Sequence, residues 1–339
     1  MNSGWLHLSD NDKITIFEQT ATQTGLPVQA IEKDWWVTTV LEALFLLPFA
    51  THLSFKGGTS LSKCWHLIER LSEDIDIAID REFLGFGGVL SKTQISDKLR
   101  RASCSFVRNE MKDMVKEQLS SMGFDNSLFS VLVNETPIST TDPEIIEVHY
   151  KSLFALDPYI QNRVLIELSG RSMSEPIETV EIKTMVAAAY PDVSFADKGF
   201  LVRAVSSKRT FLEKAFLLHE EFHKTGAPVR VERMSRHLYD LEKFMKTPIV
   251  DDALSDQFLY TSIMEHRRIF IGLKDFDYTT LKPDTIDFVP PFPIQKEWEE
   301  DYVKLQNAMI YGDSLPFKDL IEQIKGLNGQ FKNIYWSVN

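Results

Sequence analysis

The sequence predicts an α/β (α+β) fold, with a mixed sheet and its helices in the first part of the chain and a largely helical domain after it. Three observations carry this. Short runs that alternate polar and apolar residues, such as Asp74 to Ile79, all fall before Gly170. Segments with helical spacing separate those runs, so strands and helices are interleaved. Beyond Arg209 the branched runs stop and helical segments follow one another.

The elements read as follows. Asn11 to Thr24 has apolar positions at Ile14, Ile16 and Phe17 and ends near Gly25, a residue that favours a helix C-terminus. Pro27 to Leu47 is a second helical stretch, with a wide apolar stripe through Trp35, Trp36, Val40, Leu41, Leu44 and Phe45; Pro48 stops it. The Trp35-Trp36 pair reads as core. His52 to Phe55 is a short strand leading into Gly57 and Gly58, and Asp74 to Ile79 is the next. Lys92 to Ser121 is a long polar helical segment. Leu128 to Val133, Ile145 to Tyr150 and Val164 to Leu168 are branched runs that can pair with the earlier strands. Then come helices at Arg209 to Lys224, Arg233 to Met245 and Asp252 to Ile271. After the bridge Pro290-Pro291-Phe292-Pro293 two more follow, at Gln295 to Ala308 and Phe317 to Leu327. The boundary falls within Tyr190 to Arg203, giving a first domain of residues 1–195 and a second of 196–339.

Bulk properties narrow the function classes. With 339 residues, 43% hydrophobic and 25% charged, the chain has the composition of a globular protein with room for two cores. The apolar run Leu41 to Ala50 is interrupted by Glu42 and Pro48 and falls well short of the ~20 residues that span a membrane. Met1 to Leu8 lacks the pattern of a secretory signal. Two cysteines without a CxxC pair suit a reducing cytoplasm. A net charge of −12 argues against a general nucleic-acid coat, while leaving room for a local basic groove or a basic protein partner.

The chemistry-bearing constellation is Lys56-Gly57-Gly58-Thr59-Ser60, a short helix, and then Arg70-Leu71-Ser72-Glu73-Asp74-Ile75-Asp76. A glycine pair between strand and helix lets backbone approach a ligand, and the free N–H groups of a helix start suit phosphate. Thr59 and Ser60 can add hydroxyl donors. Asp74 and Asp76, two apart on a strand, project from one face with Cα atoms roughly 6.6 Å apart. Such carboxylates suit magnesium, which prefers carboxylate and phosphate oxygens. A D-x-D strand beside a phosphate cradle is thus a coherent nucleotidyl-transfer site. The bland alternative is a solvated strand edge after a glycine turn.

These motifs resemble the first motif of AbiEii/AbiGii-type nucleotidyltransferases of the polymerase-β superfamily, whose members include MenT-like toxins. Asp34-Trp35-Trp36-Val37-Thr38 resembles the family's N-terminal helix, and Ile166 to Ser172 its second-strand motif. Arg209 to Lys214 and Arg236 to Leu241 resemble its two helical motifs. The resemblance implies a polymerase-β-type core and roles residue by residue. Asp74 and Asp76 would bind magnesium, with manganese as an alternative, and Glu167 would be the third acidic group, with Glu147 as its rival. Lys214 would contact the triphosphate of the NTP, where the bland reading is a solvated helix lysine. Asp240 would sit close to Lys214 or the nucleotide. Ser72 and Arg70 would orient the strand or touch phosphate, with Glu69 and Glu73 as alternative partners for Arg70. The implied acceptor is the 3′ end of tRNA or another RNA. Transfer to a protein hydroxyl is the second reading, and a cognate antitoxin is the implied partner.

One competing motif needs weighing. His219-Glu220-Glu221-Phe222-His223 matches H-E-x-x-H, in which two histidines on one helix face bind zinc and the glutamate acts as base. It would make the chain a zinc metalloprotease, with Glu242 or His237 as a third ligand. It lies just beyond Lys214 on the same helix and is followed by Lys224, which would repel a cation. Two basic clusters are candidate RNA contacts: Lys98, Arg100, Arg101, Arg108 and Lys112 on the long helix, and His266-Arg267-Arg268.

Overall fold

The computed structural model describes residues 3–133, 144–155, 157, 160–196, 198–334 and 336. The chain forms two compact units, Met1–Cys64 with Leu71–Val205, and Trp65–Arg70 with Ser206–Asn339. The short segment Trp65–Arg70 thus leaves the first unit between the glycine motif and the D-x-D strand.

In the first unit β1 (Leu53–Lys56), β2 (Asp74–Ile79), β3 (Phe129–Val133), β4 (Glu144–Tyr150), β5 (Arg163–Ser169), β6 (Ile177–Ile182) and β7 (Phe200–Val205) make one sheet. Their order is β3-β4-β5-β2-β1-β7-β6. The β2/β5 and β1/β7 pairs are parallel and the others antiparallel, the mixed sheet that the interleaved pattern predicts. β6 and β7 lie in chain that the sequence reading leaves irregular, and β7 overlaps the stretch read as a boundary.

One sheet face is core. Ile75, Ile77 and Ile79 of β2, Val164, Ile166 and Leu168 of β5, and Ile146 and Val148 of β4 are all buried. Each large apolar side chain gains roughly 1.5–3 kcal/mol on burial, and a one-residue slip of β2 would exchange its isoleucines for Asp74 and Asp76. The register of the carboxylates is therefore set by the opposite face of their own strand.

The Val28–Phe45 helix packs on β2, β5 and β7 and against the Asp10–Thr24 and Lys112–Ser121 helices. It is enclosed on several sides, which explains its wide apolar surface and the burial of Trp35 and Trp36. Trp36 stacks on Tyr150 at 5.0 Å between ring centroids. Ser9 caps the Asp10–Thr24 helix through a reciprocal box with Asp12, and Gly25 closes it at φ 73°. The long segment after β2 is helical from Gln94 to Ser121, with π-turns at Gln94–Leu99 and Val107–Met111 between α-helical parts.

The second unit is helical. Its Ser207–His223 helix buries Phe211, Leu212, Ala215, Phe216 and Leu218. Phe211 meets Phe244 at 5.3 Å and Phe331 at 5.7 Å, and Phe216 meets Tyr260 at 4.8 Å. The segment read as one helix from Asp252 to Ile271 divides into Ile249–Ser255 and Gln257–His266, then a π-turn at Arg267–Ile271. Asp256 restarts the helix by accepting from the Leu259 amide. No helix of the described residues is long and apolar enough to cross a membrane.

Candidate active site

Strand pairing sets out the acidic row of the first unit. Asp76 on β2 lies opposite Glu167 on β5 on one side and opposite Lys56 on β1 on the other. Cross-strand partners share a face, so Glu167, Asp76 and Lys56 stand side by side, with Asp74 two residues along. All four are half-buried. Glu147 is one strand further out, since it pairs with Leu165, which pairs with Asp74. Its Oε2 is 2.7 Å from His149 Nε2 and 2.8 Å from Arg163 Nη1. Burial alone would raise the Glu147 pKa, but these two donors outweigh it and hold the carboxyl below its ordinary range. Of the two candidates for the third carboxylate, Glu167 is Asp76's direct neighbour and Glu147 is committed to a basic pair. The sequence reading passes over Lys56 as a neighbour of Asp76; the antiparallel β1/β2 register is the signal that finds it.

The glycine turn presses on the same row. Gly57 has φ 79°, and a Cβ built there would lie 1.8 Å from Asp76 Oδ2. Only glycine fits both the left-handed backbone and that approach. The Gly57–Lys63 helix follows, and its two hydroxyls turn inward. Ser60 is fully buried and donates to the Gly57 carbonyl at 2.9 Å. Thr59 Oγ1 is 2.5 Å from the Asp74 carbonyl oxygen and 2.9 Å from Ser72 Oγ. One hydroxyl carries one proton, so Thr59 donates to the stronger carbonyl acceptor and can receive from Ser72. Thr59 and Ser60, expected as phosphate donors, are thus spent on holding the turn and the start of β2. Gly57, Gly58 and Ser72 keep the half-buried positions.

The motifs of the second unit meet in a buried ionic cluster. Asp240, with no exposed side-chain surface, accepts from Arg70 Nε at 2.7 Å and Nη2 at 2.8 Å, and from Lys214 Nζ at 2.8 Å. Burial pushes the Asp240 pKa up, but Arg70 and Lys214 together hold it far below the carboxylate range. Burial lowers the Lys214 pKa, against the pull of Asp240. His237 Nδ1 lies 3.5 Å from Lys214 Nζ, and burial with the neighbouring cations keeps its pKa well below the ordinary histidine value. Arg70 thus finds its carboxylate far from it in the sequence. Glu73 lies 3.1 Å from Lys33. The Trp65–Arg70 segment is also tied by its backbone, since the Glu69 carbonyl accepts from the Tyr311 amide at 3.0 Å.

The zinc reading fails on geometry. His219 is buried, with Nδ1 2.9 Å from the Asp287 backbone and Nε2 2.9 Å from Thr280 Oγ1. His223 Nδ1 lies 2.9 Å from the His219 carbonyl, and Glu220 is locked to buried Arg267 by two bonds of 2.6 and 2.5 Å. Both nitrogens of His219 and both oxygens of Glu220 are thus engaged with protein, and His219 is pushed down to about 4 by burial. The basic clusters are largely neutralised as well. Arg101 pairs with Asp97, Arg108 with Glu144, Arg267 with Glu220 and Arg268 with Glu265.

The donor set suits magnesium in a particular way. Asp74, Asp76 and Glu167 offer hard oxygens, but among the described residues no three His, Cys, Asp or Glu side chains converge as a ready cage. Magnesium is commonly held by one or two carboxylates together with substrate phosphates, so this open row fits an ion that arrives with its nucleotide.

Comparison with known proteins adds an independent line. The family model described as "Nucleotidyl transferase AbiEii toxin, Type IV TA system" matches residues 39–323, a span that includes every residue of the row and of the buried cluster. The chain is similar to the solved structure of MenT4, a nucleotidyltransferase toxin from Mycobacterium tuberculosis. Identity there is 14%, with 96% of this chain and 100% of that one covered at a TM-score of 0.41. It is also similar to JHP933 from Helicobacter pylori, at 13% identity, 90% and 92% coverage and a TM-score of 0.41. No curated protein matches.

Proposed function

The chain belongs to the AbiEii nucleotidyltransferase toxin family and is a nucleotidyltransferase; from that premise we propose that it transfers a nucleoside monophosphate from an NTP to the 3′ hydroxyl of tRNA. The observation that carries the site assignment is the cross-strand row of Asp76 and Glu167, with Asp74 two residues along and Gly57 packed on the Asp76 carboxylate. The choice of RNA rests on the resemblance of the motifs to MenT-like members of the family. Transfer to a protein hydroxyl is the second reading, favoured by the net charge of −12.

In this reading Asp74, Asp76 and Glu167 hold magnesium, or manganese in its place. When bound, the metal activates the attacking hydroxyl and neutralises charge on the phosphates and the departing pyrophosphate. The chain's own contribution is position and field. Gly57 and Gly58 bring backbone to the phosphates, and Ser72 offers a hydroxyl beside them. Thr59 fixes the start of β2 through the Asp74 carbonyl. Lys214 contacts the triphosphate. Its ammonium has three donors, of which Asp240 takes one and His237 approaches a second. Arg70 acts through Asp240 as a positioning residue. A cognate antitoxin is the proposed partner, and the cytoplasm, which suits the buried free thiols of Cys64 and Cys104, the proposed compartment.

The test incubates purified protein with each α-labelled NTP, magnesium and total bacterial RNA, beside Asp74→Ala and Asp76→Ala. Label on a tRNA-sized band that both variants lose supports the reading and names the base. Label on protein alone moves the acceptor to a polypeptide, and no label in any lane refutes NMP transfer by this row. Co-expression of neighbouring gene products with the toxin tests the antitoxin, which is overturned if none relieves growth arrest.

A further inference from the structure

Glu147 is left out of the acidic row, yet its surroundings are built. Its side chain is only 8% exposed, while the two cations it gathers stay open to solvent, His149 at 40% and Arg163 at 32%. His149 and Arg163 are direct cross-strand partners, so one buried oxygen holds two adjacent donors at a fixed spacing. Arg163 meets that carboxylate through Nη1 of its five-donor fork, while about a third of its side chain stays open to solvent. Exposed Lys151 follows two residues after His149, and its amide donates to the Leu128 carbonyl at 2.8 Å. That bond continues the β3/β4 ladder and keeps Lys151 on the His149 face.

The face is the one that carries the catalytic row. Alternation puts Arg163 with Leu165 and Glu167 on β5, and His149 with Glu147 on β4, on the same side as Asp74 and Asp76. From strand spacing and rise, the Cα atoms of Arg163 and His149 lie roughly 8 and 12 Å from that of Asp74. Those side chains are too distant to act on the reacting phosphorus. They are at the right reach for phosphates upstream of a hydroxyl held at Asp74 and Asp76.

We propose that Arg163, His149 and Lys151 bind the phosphodiester backbone of the RNA acceptor, with buried Glu147 holding the first two in place. The assignment rests on the RNA-acceptor reading above. Charge favours it over a polypeptide contact. On the long helix exposed Arg101 is matched by a carboxylate of its own, Asp97, at 2.8 Å. At this corner a single buried carboxylate serves two outward cations, with a third beside them. An arginine fixed before binding loses less rotamer freedom when it meets phosphate, and its fork matches phosphate oxygens.

The experiment measures binding apart from turnover. Fluorescence anisotropy with a labelled short single-stranded RNA ending in a free 3′ hydroxyl is recorded on the full chain across a salt series. Arg163→Gln, His149→Gln and Lys151→Gln are compared with the unaltered protein, each checked by thermal melting. Arg163→Lys, which keeps the charge and loses the fork, covers the case in which Arg163→Gln unfolds. Arg163→Gln is expected to weaken RNA binding about ten- to a hundredfold, the range for losing a charge-assisted bond. Each lost phosphate contact should lower the slope of log affinity against log salt by about 0.7. The KM for NTP should stay level while that for RNA rises. Unchanged RNA affinity and salt slope in folded variants overturns the proposal, even if label still reaches tRNA. Binding that depends on Arg163, in a protein that labels no RNA, sustains this site and refutes the acceptor reading instead.

Discussion

Replacing Gly57 by alanine separates backbone strain from displacement of a catalytic group. At φ 79° an alanine pays for the left-handed conformation, roughly 1–2 kcal/mol. Its Cβ would also lie 1.8 Å from Asp76 Oδ2 and 2.7 Å from Cγ, where ordinary contact begins near 3.4 Å. The carboxylate must therefore retreat by about 1.6 Å, whether Asp76 rotates or β2 shifts. Magnesium demands oxygens at about 2.0–2.1 Å in near-octahedral geometry, and a misplacement of ~1 Å at a reacting centre costs on the order of a hundredfold. Gly25→Ala is the matched control, because Gly25 has φ 73° and nothing within 4 Å of the added Cβ. Both variants should lose similar stability in urea denaturation. Only Gly57→Ala should lose labelled-NMP transfer, by about a hundredfold or more. A Gly57→Ala enzyme within a few-fold of the parent, or a Gly25→Ala enzyme equally inactive, would refute the packing of Gly57 on Asp76 as the determinant.

Glu167→Gln should abolish transfer with little change in melting. Glu147→Gln should instead cost about 1–3 kcal/mol, the loss of a buried charged partner, and raise the KM for RNA; the reverse pattern in kinetics and melts would make Glu147 the third carboxylate. Asp240→Asn leaves Arg70 and Lys214 buried without a counter-charge and should cost about 3–5 kcal/mol. Adding Lys214→Met should recover part of that loss, and urea midpoints that do not move in either variant would dismiss the cluster as a stabilising unit. His219 sits at about 4 when folded against 6.5 when unfolded, so between those values the unfolded chain binds the extra proton. Stability is then complete above pH 6.5 and drains by up to about 3 kcal/mol as pH falls to 4. His219→Gln should flatten that slope in urea midpoints read across the interval, and an unchanged slope would assign the acid loss to other groups.

What the sequence made legible was local. The alternation of Asp74 to Ile79 and the two-residue spacing of its aspartates needed only the period of a strand, and β2 has those bounds. The helices of the second unit were readable from the spacing of their apolar residues, although Ser207–His223 and Arg236–Phe244 are buried nearly all round. Contacts between distant residues were not. Arg70 has acidic neighbours at 69 and 73, and no window along the chain points to Asp240 170 positions away. The direction of the Thr59 hydroxyl was hidden for a related reason. In a glycine-rich turn a threonine reads as a phosphate donor, and only the packing of β2 shows that the Asp74 carbonyl claims it. The strand Ile177–Ile182 was missed because it is an outer strand with one buried side chain, Ile182, so burial imposes little alternation on it. The π-turns of the long helix shift the phase of its apolar stripe, which made Lys92 to Ser121 look more polar than the buried row of Leu99, Val107, Met111, Val115 and Leu119 shows it to be.

The detour of Trp65–Arg70 into the second unit carries a consequence for the order of synthesis. Arg70 leaves the ribosome long before Asp240 and Ile310, its ion-pair and bridge partners. At about 5–20 residues per second, the interval from Arg70 to Ile310 is on the order of tens of seconds. Until Asp240 has been made, the segment joining the glycine motif to the D-x-D strand lacks the carboxylate that pairs with Arg70. A nascent or prematurely ended chain carries both motifs and still lacks the residues that hold the link between them.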